Sequence, residues 1–297
     1  MMARKQNIVT ALLITSVFFI STLLLVIAYK YIRGESIDIS DGKPLIAVVE
    51  LSGPIYESKS IIRQFKKYGE NEDIDAILFR ISSPGGGVSA SQEIYHEVKR
   101  VRDSGMPILA SFGSVAASGG YYIALGADKI MANPATVTGS IGVIVGLPNY
   151  EGLMNKLGLS FVNITSGPLK DSGSPYRKLR KDDRDVFQEV VDDLYDQFVK
   201  TVSVERGLTI ERVREIADGR IYSGNQAKNI GLIDTLGTYQ DALDYVVELA
   251  GLTGKPKIIK EKRRKSSLFD LIFGDARNVL RVLDRVALPE YRLNLNF

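Results

Sequence analysis

Continuous apolar runs alternate with amphipathic segments through the first half of this sequence. The runs are typical of strands buried on both faces, and they lie at residues 45–51, 76–81 and 107–112. The segments between them repeat their apolar residues at helical spacing, at residues 58–68 and 89–103. An order of strand, helix, strand, helix, strand predicts an α/β fold with a parallel sheet and right-handed crossovers.

The second half of the chain has a mainly helical pattern. Apolar residues four apart predict a long amphipathic helix over residues 178–206. Shorter helices are predicted at residues 209–217, 224–230 and 238–250. The expected organisation is an N-terminal membrane anchor (1–29), a polar linker (30–43), a folded domain (44–250) and a basic linker with a C-terminal amphipathic tail (251–297).

The proposed anchor is the segment from Ile8 to Ala28, which contains no charged residue. At 1.5 Å per residue such a helix is about 31 Å long, enough to cross the hydrocarbon core of a bilayer. The run is longer than the apolar part of a signal peptide, and Ala28-Tyr29-Lys30 is a poor cleavage site. We therefore expect an uncleaved, single-pass anchor in the cell membrane. Positive charges flank both ends, so orientation is inferred from the short N-terminal flank, which favours a folded domain outside the cytoplasm.

Composition narrows the chemistry that the folded domain can perform. The sequence has no cysteine, which excludes disulfides, thiol nucleophiles and cysteine-ligated metal sites. Its single histidine, His96, excludes a multi-histidine metal site. The net charge is +3, but residues 254–265 hold seven Lys or Arg and one Glu, so the rest is mildly acidic. No nucleic-acid partner is expected, and the basic run is interpreted as a solvated linker or a patch for anionic membrane.

A glycine-rich motif, SSPGGG at residues 82–87, directly follows the strand predicted at residues 76–81. Glycines let backbone amides face outward, which suits either an anion cradle or the donation of N–H groups to an oxyanion. The motif fits neither a Walker A loop nor a dinucleotide fingerprint. A plain tight turn between strand and helix is the alternative interpretation.

A second motif, GSVAASGGYY at residues 113–122, follows the strand predicted at residues 107–112 and leads into an apolar helix. Ser118 therefore lies near a helix N-terminus, where free amides and the helix dipole favour negative charge. The N–H of Gly119 is placed to stabilise an oxyanion beside the Ser118 hydroxyl. Two interpretations stay open, since Ser118 could be a nucleophile or could cap the helix.

A nucleophilic serine needs a base. His96 lies within a predicted helix among charged residues and is a weak candidate. A lysine can serve if its surroundings lower the pKa from about 10.4 to near 7. Spacing does not select the lysine, because Lys129 is expected to begin a strand and Lys170 lies in a loop. Asp171, beside Lys170, would oppose loss of the lysine proton if its carboxylate faced the amine.

Several motifs, taken in order behind the apolar N-terminal segment, resemble the short form of the signal peptide peptidase A family. Members of that family are membrane-anchored serine proteases with a Ser-Lys dyad. The similarity is carried by SSPGGG (82–87), AASGGYYIA (116–124), TGSIGVI (138–144), GPLKDSGSPYR (167–177) and DGRIYSGNQAKNIGLIDTLG (218–237). The combination is specific, whereas SPGG alone is similar to a loop of the Clp protease and crotonase superfamily.

The resemblance implies a Clp/crotonase-type ββα superhelix with a parallel sheet, preceded by one N-terminal transmembrane helix. It implies that Ser118 is the nucleophile and Lys170 the general base, and that no cofactor or metal takes part. The supporting residues that it implies are the oxyanion amides of Gly86 and Gly119, the loop glycines Gly85 and Gly87, and Ser174 as a hydrogen-bond partner of the base.

The resemblance also implies partners for the protein. The expected assembly is a ring-like homo-oligomer, in which the serine and the lysine can come from adjacent subunits. The expected substrates are hydrophobic peptides, such as signal-peptide remnants, or other membrane-associated polypeptides. The motifs TGSIGVI and DGRIYSGNQAKNIGLIDTLG are interpreted as fold elements and not as chemistry.

Three other functions remain open at this point. A crotonase-type acyl-CoA enzyme would use the same oxyanion design without a nucleophile, but the anchor and the pairing of ASGG with KD disfavour it. A non-catalytic membrane scaffold would keep the fold without needing Ser118 or Lys170. A protease of the stomatin-partner type would share the dyad and act on one specific membrane partner.

Overall fold

The computed structural model describes residues 15–25, 43–261 and 290–292 of the chain. Residues 15–25 form an exposed helix, α1, within the expected anchor. The rest of that anchor, most of the linker and most of the expected C-terminal segment (251–297) lie outside the described residues. Within the described ranges, no helix combines the length and the apolar character that a membrane crossing requires. The chain divides into two compact units, Met1–Lys43 and Pro44–Phe297.

The second unit contains ten strands and eight helices among its described residues. The strands are β1 (Leu45–Ser52), β2 (Ala76–Ser83), β3 (Gly85–Gly87), β4 (Ile108–Ala117), β5 (Lys129–Ala132), β6 (Val137–Gly139), β7 (Ile221–Ser223), β8 (Thr235–Leu236), β9 (Lys257–Lys260) and β10 (Glu290–Arg292). The helices are α2 (Lys59–Gly69), α3 (Val88–Asp103), α4 (Gly119–Ala124), α5 (Glu151–Lys156), α6 (Lys181–Arg206), α7 (Ile210–Ile216), α8 (Gly224–Asn229) and α9 (Tyr239–Leu249). Apolar spacing therefore located the helices expected between residues 58 and 250 to within three residues at each end.

The main sheet has the strand order β7-β6-β4-β2-β1-β9, and β5 and β8 extend it from β4. The three strands expected from the sequence, β1, β2 and β4, are parallel neighbours at its centre. The third of them is longer than expected, because β4 continues through the motif to Ala117. Ser118 is therefore the first residue beyond the end of a central strand.

The sheet is mixed, which corrects the expectation of a parallel sheet. β7 pairs antiparallel with β6 in the main sheet, and β10 pairs antiparallel with β3 in a separate two-stranded sheet. β6, β7 and β10 have only three residues each. Such short strands contain too few alternating positions for a sequence pattern to show their presence or direction.

Both faces of the central sheet are covered by helices. Val49 and Phe79 belong to a large apolar cluster that includes residues of α2, α3, α4 and α6, whereas Val48 and Leu78 pack with α9. The Phe79 ring packs edge-on against Phe65 of α2, with the ring centroids 5.0 Å apart. Burial on both faces explains why these strands are continuous apolar runs in the sequence.

The segment of residues 144–180, which we call the exposed arm, has a different character. It contains α5, which has no buried residue, and a series of turns that leads to α6. Its exposed large apolar side chains are Ile144, Tyr150, Leu153, Leu157, Leu159, Phe161, Val162, Ile164, Leu169, Tyr176 and Leu179. Concentrated apolar exposure of this kind is typical of a surface that binds another molecule.

Candidate active site

Ser118 lies at the turn between β4 and α4, in a backbone conformation that is unusual for a residue with a side chain. Its φ is +53° and its ψ is −117°, and the residue is only 1% exposed. A positive φ at a non-glycine residue is uncommon, and such strain costs roughly 1–3 kcal/mol. A sharp strand-to-helix turn of this kind presents the nucleophilic serine in hydrolases of a different fold.

The strand β6 fixes the backbone of this turn. The Ser118 N–H donates a hydrogen bond to the Gly139 carbonyl at 2.7 Å, and the Ser118 carbonyl accepts one from Tyr122 N–H at 2.9 Å. The Thr138 hydroxyl donates to the carbonyl of Ala116, two residues before Ser118 in β4, at 2.6 Å. The motif TGSIGVI, interpreted from the sequence only as a fold element, therefore also holds Ser118 in position.

The Ser118 hydroxyl has no partner. Among the described residues, its Oγ is the one buried side-chain nitrogen or oxygen atom without a hydrogen bond. An unpaired buried hydroxyl costs about 1–3 kcal/mol. Ser118 occupies the N-cap position of α4, but its side chain makes no capping hydrogen bond, so the alternative interpretation as a helix cap is wrong. A strained backbone and an unpaired hydroxyl suit a nucleophile whose proton acceptor and substrate are still to bind.

His96 and Lys129, the other basic residues considered from the sequence, lie beside other side chains. His96 is exposed on α3, and its ring lies 5.1 Å from that of Tyr95, centroid to centroid. Lys129 begins β5, as expected, and its ammonium lies 3.7 Å from a carboxylate oxygen of Asp234. Neither residue is hydrogen-bonded to the Ser118 Oγ, which has no partner within the described part of the chain.

The glycine-rich motif forms the short strand β3 close to the start of α4. Ile55 pairs with it from one side, because Ile55 N–H donates to the Gly85 carbonyl and Gly87 N–H to the Ile55 carbonyl, both at 2.8 Å. A Cβ atom at Gly86 would lie 2.2 Å from the Ile55 carbonyl oxygen, and one at Gly120 would lie 2.6 Å from the Ser83 carbonyl oxygen. Only glycine fits at such distances, so the two glycine-rich motifs meet through close backbone contact.

The other side of β3 binds an extended stretch of chain. Glu290, Tyr291 and Arg292 form β10, which runs antiparallel to Gly85–Gly87 with Tyr291 opposite Gly86. Sequence reasoning assigned no role to this part of the chain, and a three-residue strand gives no pattern that could have indicated one. The pairing shows that this edge of the glycine strand accepts a peptide backbone in extended conformation.

Lys170 lies in a turn of the exposed arm, and its side chain is exposed. Its backbone N–H donates to the Gly167 carbonyl at 3.2 Å. Its amine has no hydrogen-bond or ion-pair partner among the described residues, so the structure does not bring Lys170 and Ser118 into hydrogen-bond contact within one chain. Ser174 donates its backbone N–H to the Asp171 carbonyl at 3.0 Å, and its predicted hydrogen bond to the base stays a prediction.

Charged residues that the sequence reasoning did not single out surround the turn that contains Lys170. Hydrogen bonds from Arg177 hold the pKa of Asp171 below its usual range. Hydrogen bonds from Arg177 and Arg180 lower the pKa of Asp183 strongly. The alternation of acidic and basic residues in KDSGSPYRKLRKDD is the sequence signal that could have indicated this cluster. In the part of the chain that is described, no group of three or more His, Asp or Glu residues could hold a metal ion.

Comparison with known proteins places these features in a wider context. Residues 100–253 match Peptidase family S49. A putative protease of Synechocystis sp. is 46% identical over 209 residues, which cover 70% of this chain and 75% of that relative. A putative signal peptide peptidase SppA of Enterococcus faecium is 43% identical over 198 residues, which cover 67% of this chain and 58% of that relative.

A solved structure, that of a ClpP1 mutant from Listeria monocytogenes, is also similar. The match has 17% sequence identity and a TM-score of 0.46, and it covers 66% of this chain and 93% of the other.

Proposed function

Because the chain belongs to Peptidase family S49, the signal peptide peptidase A family of serine proteases, we propose that it is a membrane-anchored endopeptidase with a Ser-Lys dyad. Ser118 is the nucleophile and Lys170 the general base. The observation that carries the proposal is the Ser118 hydroxyl, buried and unpaired on a strained turn beside the glycine strand. Membership of a peptidase family also disfavours the alternative of an acyl-CoA enzyme.

The proposed reaction begins when the neutral amine of Lys170 takes the proton of the Ser118 hydroxyl. The Ser118 Oγ attacks the carbonyl carbon of a peptide bond and forms a tetrahedral oxyanion. The oxyanion collapses, the C–N bond breaks, and the Lys170 ammonium gives its proton to the departing amine. Water, deprotonated by Lys170, then attacks the acyl-enzyme, and Ser118 leaves with a proton from the lysine.

The backbone N–H groups of Gly86 and Gly119 are the proposed oxyanion donors. Gly119 is the first residue of α4, where the helix dipole favours negative charge. Gly86 lies in β3, which begins two residues after Ser83, the last residue of β2, and the Ser83 carbonyl closely approaches Gly120 at the start of this helix. Fixed donors at the place where charge develops are among the largest contributions to catalysis, and loss of one costs about 10²–10³-fold in rate.

The general base is proposed to reach Ser118 from a neighbouring subunit. Neither the Ser118 Oγ nor the Lys170 amine has a partner among the described residues of its own chain. The exposed arm that carries Lys170 also presents a run of exposed apolar side chains, which a second copy would cover. A ring-like homo-oligomer satisfies both needs, since each arm would bring a lysine to the next serine.

The proposed substrates are hydrophobic peptides, including signal-peptide remnants and other membrane-associated polypeptides. A substrate would lie extended along β3 in the place of β10, and its main chain would form the hydrogen bonds of that strand. Backbone pairing places little demand on side-chain identity, which suits the degradation of varied apolar sequences.

Membrane attachment through the segment Ile8 to Ala28 is part of the proposal. The uncharged length of this segment supports it. The catalytic unit would then lie outside the cytoplasm. Within the basic run at residues 254–265, Lys257–Lys260 form β9 beside β1 in the main sheet, so this part is not the solvated linker expected from the sequence. The run would face anionic lipid headgroups.

The test is cleavage of quenched hydrophobic peptides by the full-length protein in detergent micelles. Wild type, Ser118→Ala, Lys170→Ala and the two variants mixed under conditions of verified subunit exchange are compared. We expect both single variants to be inactive and the mixture to recover part of the wild-type rate. Activity in Ser118→Ala would reject the assignment of the nucleophile.

The remaining outcomes separate the parts of the proposal. No recovery after verified exchange would place the dyad within one chain and reject the shared site. Inactive wild-type protein would favour the non-catalytic scaffold, provided that the same preparation forms the oligomer. Cleavage confined to one membrane protein would favour a dedicated protease of the stomatin-partner type.

A further inference from the structure

The charged cluster beside Lys170 affects how easily this lysine can lose its proton, which the proposed mechanism requires. A lysine that acts as a base must release its proton near neutral pH, and a carboxylate within about 4–6 Å favours the charged form of the amine. Asp171 is the next residue in the chain. If its carboxylate turned toward the amine of Lys170, it would hold the proton on the base.

Asp171 is instead bound by two guanidinium groups. Arg177 donates from Nε to one carboxylate oxygen and from Nη2 to the other, each at 2.9 Å. Arg180 adds a third hydrogen bond from its Nη2, at 3.1 Å. Arg177 Nη2 also donates to the Asp171 carbonyl at 3.0 Å, which fixes the main chain of the residue next to the base.

A second carboxylate fixes these guanidinium groups. Asp183, near the start of α6, is 0% exposed. It accepts hydrogen bonds from Arg177 Nη1 at 2.5 Å, from Arg180 Nη2 at 2.8 Å and from the Ser172 hydroxyl at 2.9 Å. Arg177 therefore bridges the two carboxylates, with separate edges of one planar group on each.

The cluster is neutral as a whole and is attached to the protein core. Two carboxylates are balanced by two guanidinium groups, and the charged groups that act on Asp171 are Arg177, Arg180 and Asp183. Lys181, the next basic residue on α6, pairs with Asp185 at 2.6 Å. The turn also packs closely on α6, since a Cβ at Gly173 would lie 2.9 Å from the Phe187 ring.

We propose that Arg177 is a positioning residue for the general base, because it holds the Asp171 carboxylate away from the Lys170 amine and keeps the charge beside that amine neutral. The inference rests on the proposed function, since it presumes that Lys170 is the base. It adds that the ion pairs among Arg177, Asp171 and Asp183 keep the Asp171 carboxylate apart from the amine of Lys170, its neighbour in the sequence.

The experiment measures kcat, KM and the pH dependence of kcat/KM for full-length variants. Arg177→Gln removes two of the three guanidinium hydrogen bonds to the Asp171 carboxylate and leaves the cluster with one excess negative charge. We expect the acidic limb of its profile to move about one pH unit upward, and kcat/KM on that limb to fall about tenfold. Asp171→Asn leaves one excess positive charge, so its acidic limb is expected to move downward.

The double variant distinguishes charge from structural support. Arg177→Gln combined with Asp171→Asn restores neutrality, and we expect its acidic limb to return close to the wild-type position. A residue that only supports the fold would instead lower kcat in all three variants without moving the limb in opposite directions. Arg212→Gln, which breaks an exposed pair with Glu215 on α7, is the matched control and is expected to leave the profile unchanged.

Failure of this inference is distinguishable from failure of the proposed function. If Lys170→Ala keeps its activity, the base is assigned wrongly and the proposed function fails. If Lys170→Ala is inactive but the limb of folded Arg177→Gln stays in place, the positioning role alone is rejected. If Arg177→Gln does not fold, Asp171→Asn decides, because it retains both arginines and an unmoved limb in that variant rejects the role.

Discussion

The surroundings of Ser118 and of Lys170 differ in nearly every physical respect. Ser118 lies at the end of a central strand, where backbone hydrogen bonds to β6 and α4 fix it and glycine contacts prevent rearrangement. Lys170 lies on the exposed arm, where a cluster of ion pairs and the first turn of α6 hold its turn. The surroundings of Ser118 are completed by folding of one chain, whereas the turn that contains Lys170 is organised locally and lies among exposed apolar side chains. Catalysis would then depend on assembly as well as on folding.

The largest effect should come from removing the nucleophile without disturbing its surroundings. Ser118→Ala removes the attacking oxygen, and we expect kcat to fall by roughly 10⁴–10⁶-fold. The same change removes an unpaired buried hydroxyl, so the free energy of unfolding should be unchanged or raised by up to about 1 kcal/mol. Peptide cleavage and urea unfolding on the same preparation test both parts. A destabilised variant would indicate that the hydroxyl has a structural partner.

Glycine substitutions test whether close packing is confined to the surroundings of Ser118. Gly86→Ala would place a methyl group 2.2 Å from the Ile55 carbonyl oxygen, so β3 must shift. We expect a loss of about 1–3 kcal/mol in stability and about 10²-fold in rate. Gly152→Ala in α5 meets no atom within 4 Å and should stabilise the chain by up to about 1 kcal/mol. Equal losses of stability in Gly86→Ala and Gly152→Ala would contradict the difference in packing between the two regions.

A charge placed on the exposed arm tests whether its apolar surface is an interface. Ile164 is 99% exposed, so Ile164→Asp should change the free energy of unfolding by less than about 0.5 kcal/mol. We expect it to weaken subunit association at least about tenfold, as measured by analytical ultracentrifugation, with a parallel loss of activity at low protein concentration. Val204→Asp, at an exposed apolar position of α6, is the control. Unchanged association in Ile164→Asp would reject the arm as an interface.

The smallest expected effect is the pH dependence of the stability that the ion pairs of Asp171 contribute. The pKa of Asp171 is lowered in the folded state, so its ion pairs stabilise the protein fully above the unfolded value of about 3.9 and lose their effect as pH falls. Asp171→Asn should therefore be less stable than wild type at pH 7, and the difference should narrow below about pH 4. Urea unfolding at several pH values measures it. Asp185→Asn, which breaks only an exposed pair, should show a smaller difference throughout.

Much of the fold could be predicted because its determinants are local or periodic. The strands buried on both faces appear as unbroken apolar runs, and the longer helices α2, α3, α6 and α9 appear as repeats of apolar positions, whereas the short helix α5 was not predicted. The positions of β6, β7 and β10 could not be predicted, since three residues in a strand give no pattern. The mixed character of the sheet follows from these short strands.

The candidate site was predictable in part for a related reason. Glycines mark places where the backbone must come close, so the motifs around Gly86 and Ser118 indicated the serine half of the site. The support of the Ser118 turn by Gly139 and Thr138 could not be inferred, because hydrogen bonds between distant strands leave no mark on the spacing of either. Arg177 and Asp171 are only six residues apart in the sequence. Their spacing does not show which way the Asp171 carboxylate points, because that direction depends on side-chain geometry.

The amino-acid sequence by itself determined the order of the central strands and helices, the residue types available for chemistry and the resemblance to a family of serine proteases. The first two properties depend on periodicity and composition, and the third on short motifs, all of which can be read directly along the chain. Only the tertiary structure decided that Ser118 is buried on a strained turn without a partner, that β3 accepts an antiparallel strand, and that Asp171 is held by Arg177. Those properties arise when segments far apart in sequence compete for the same space and the same hydrogen bonds.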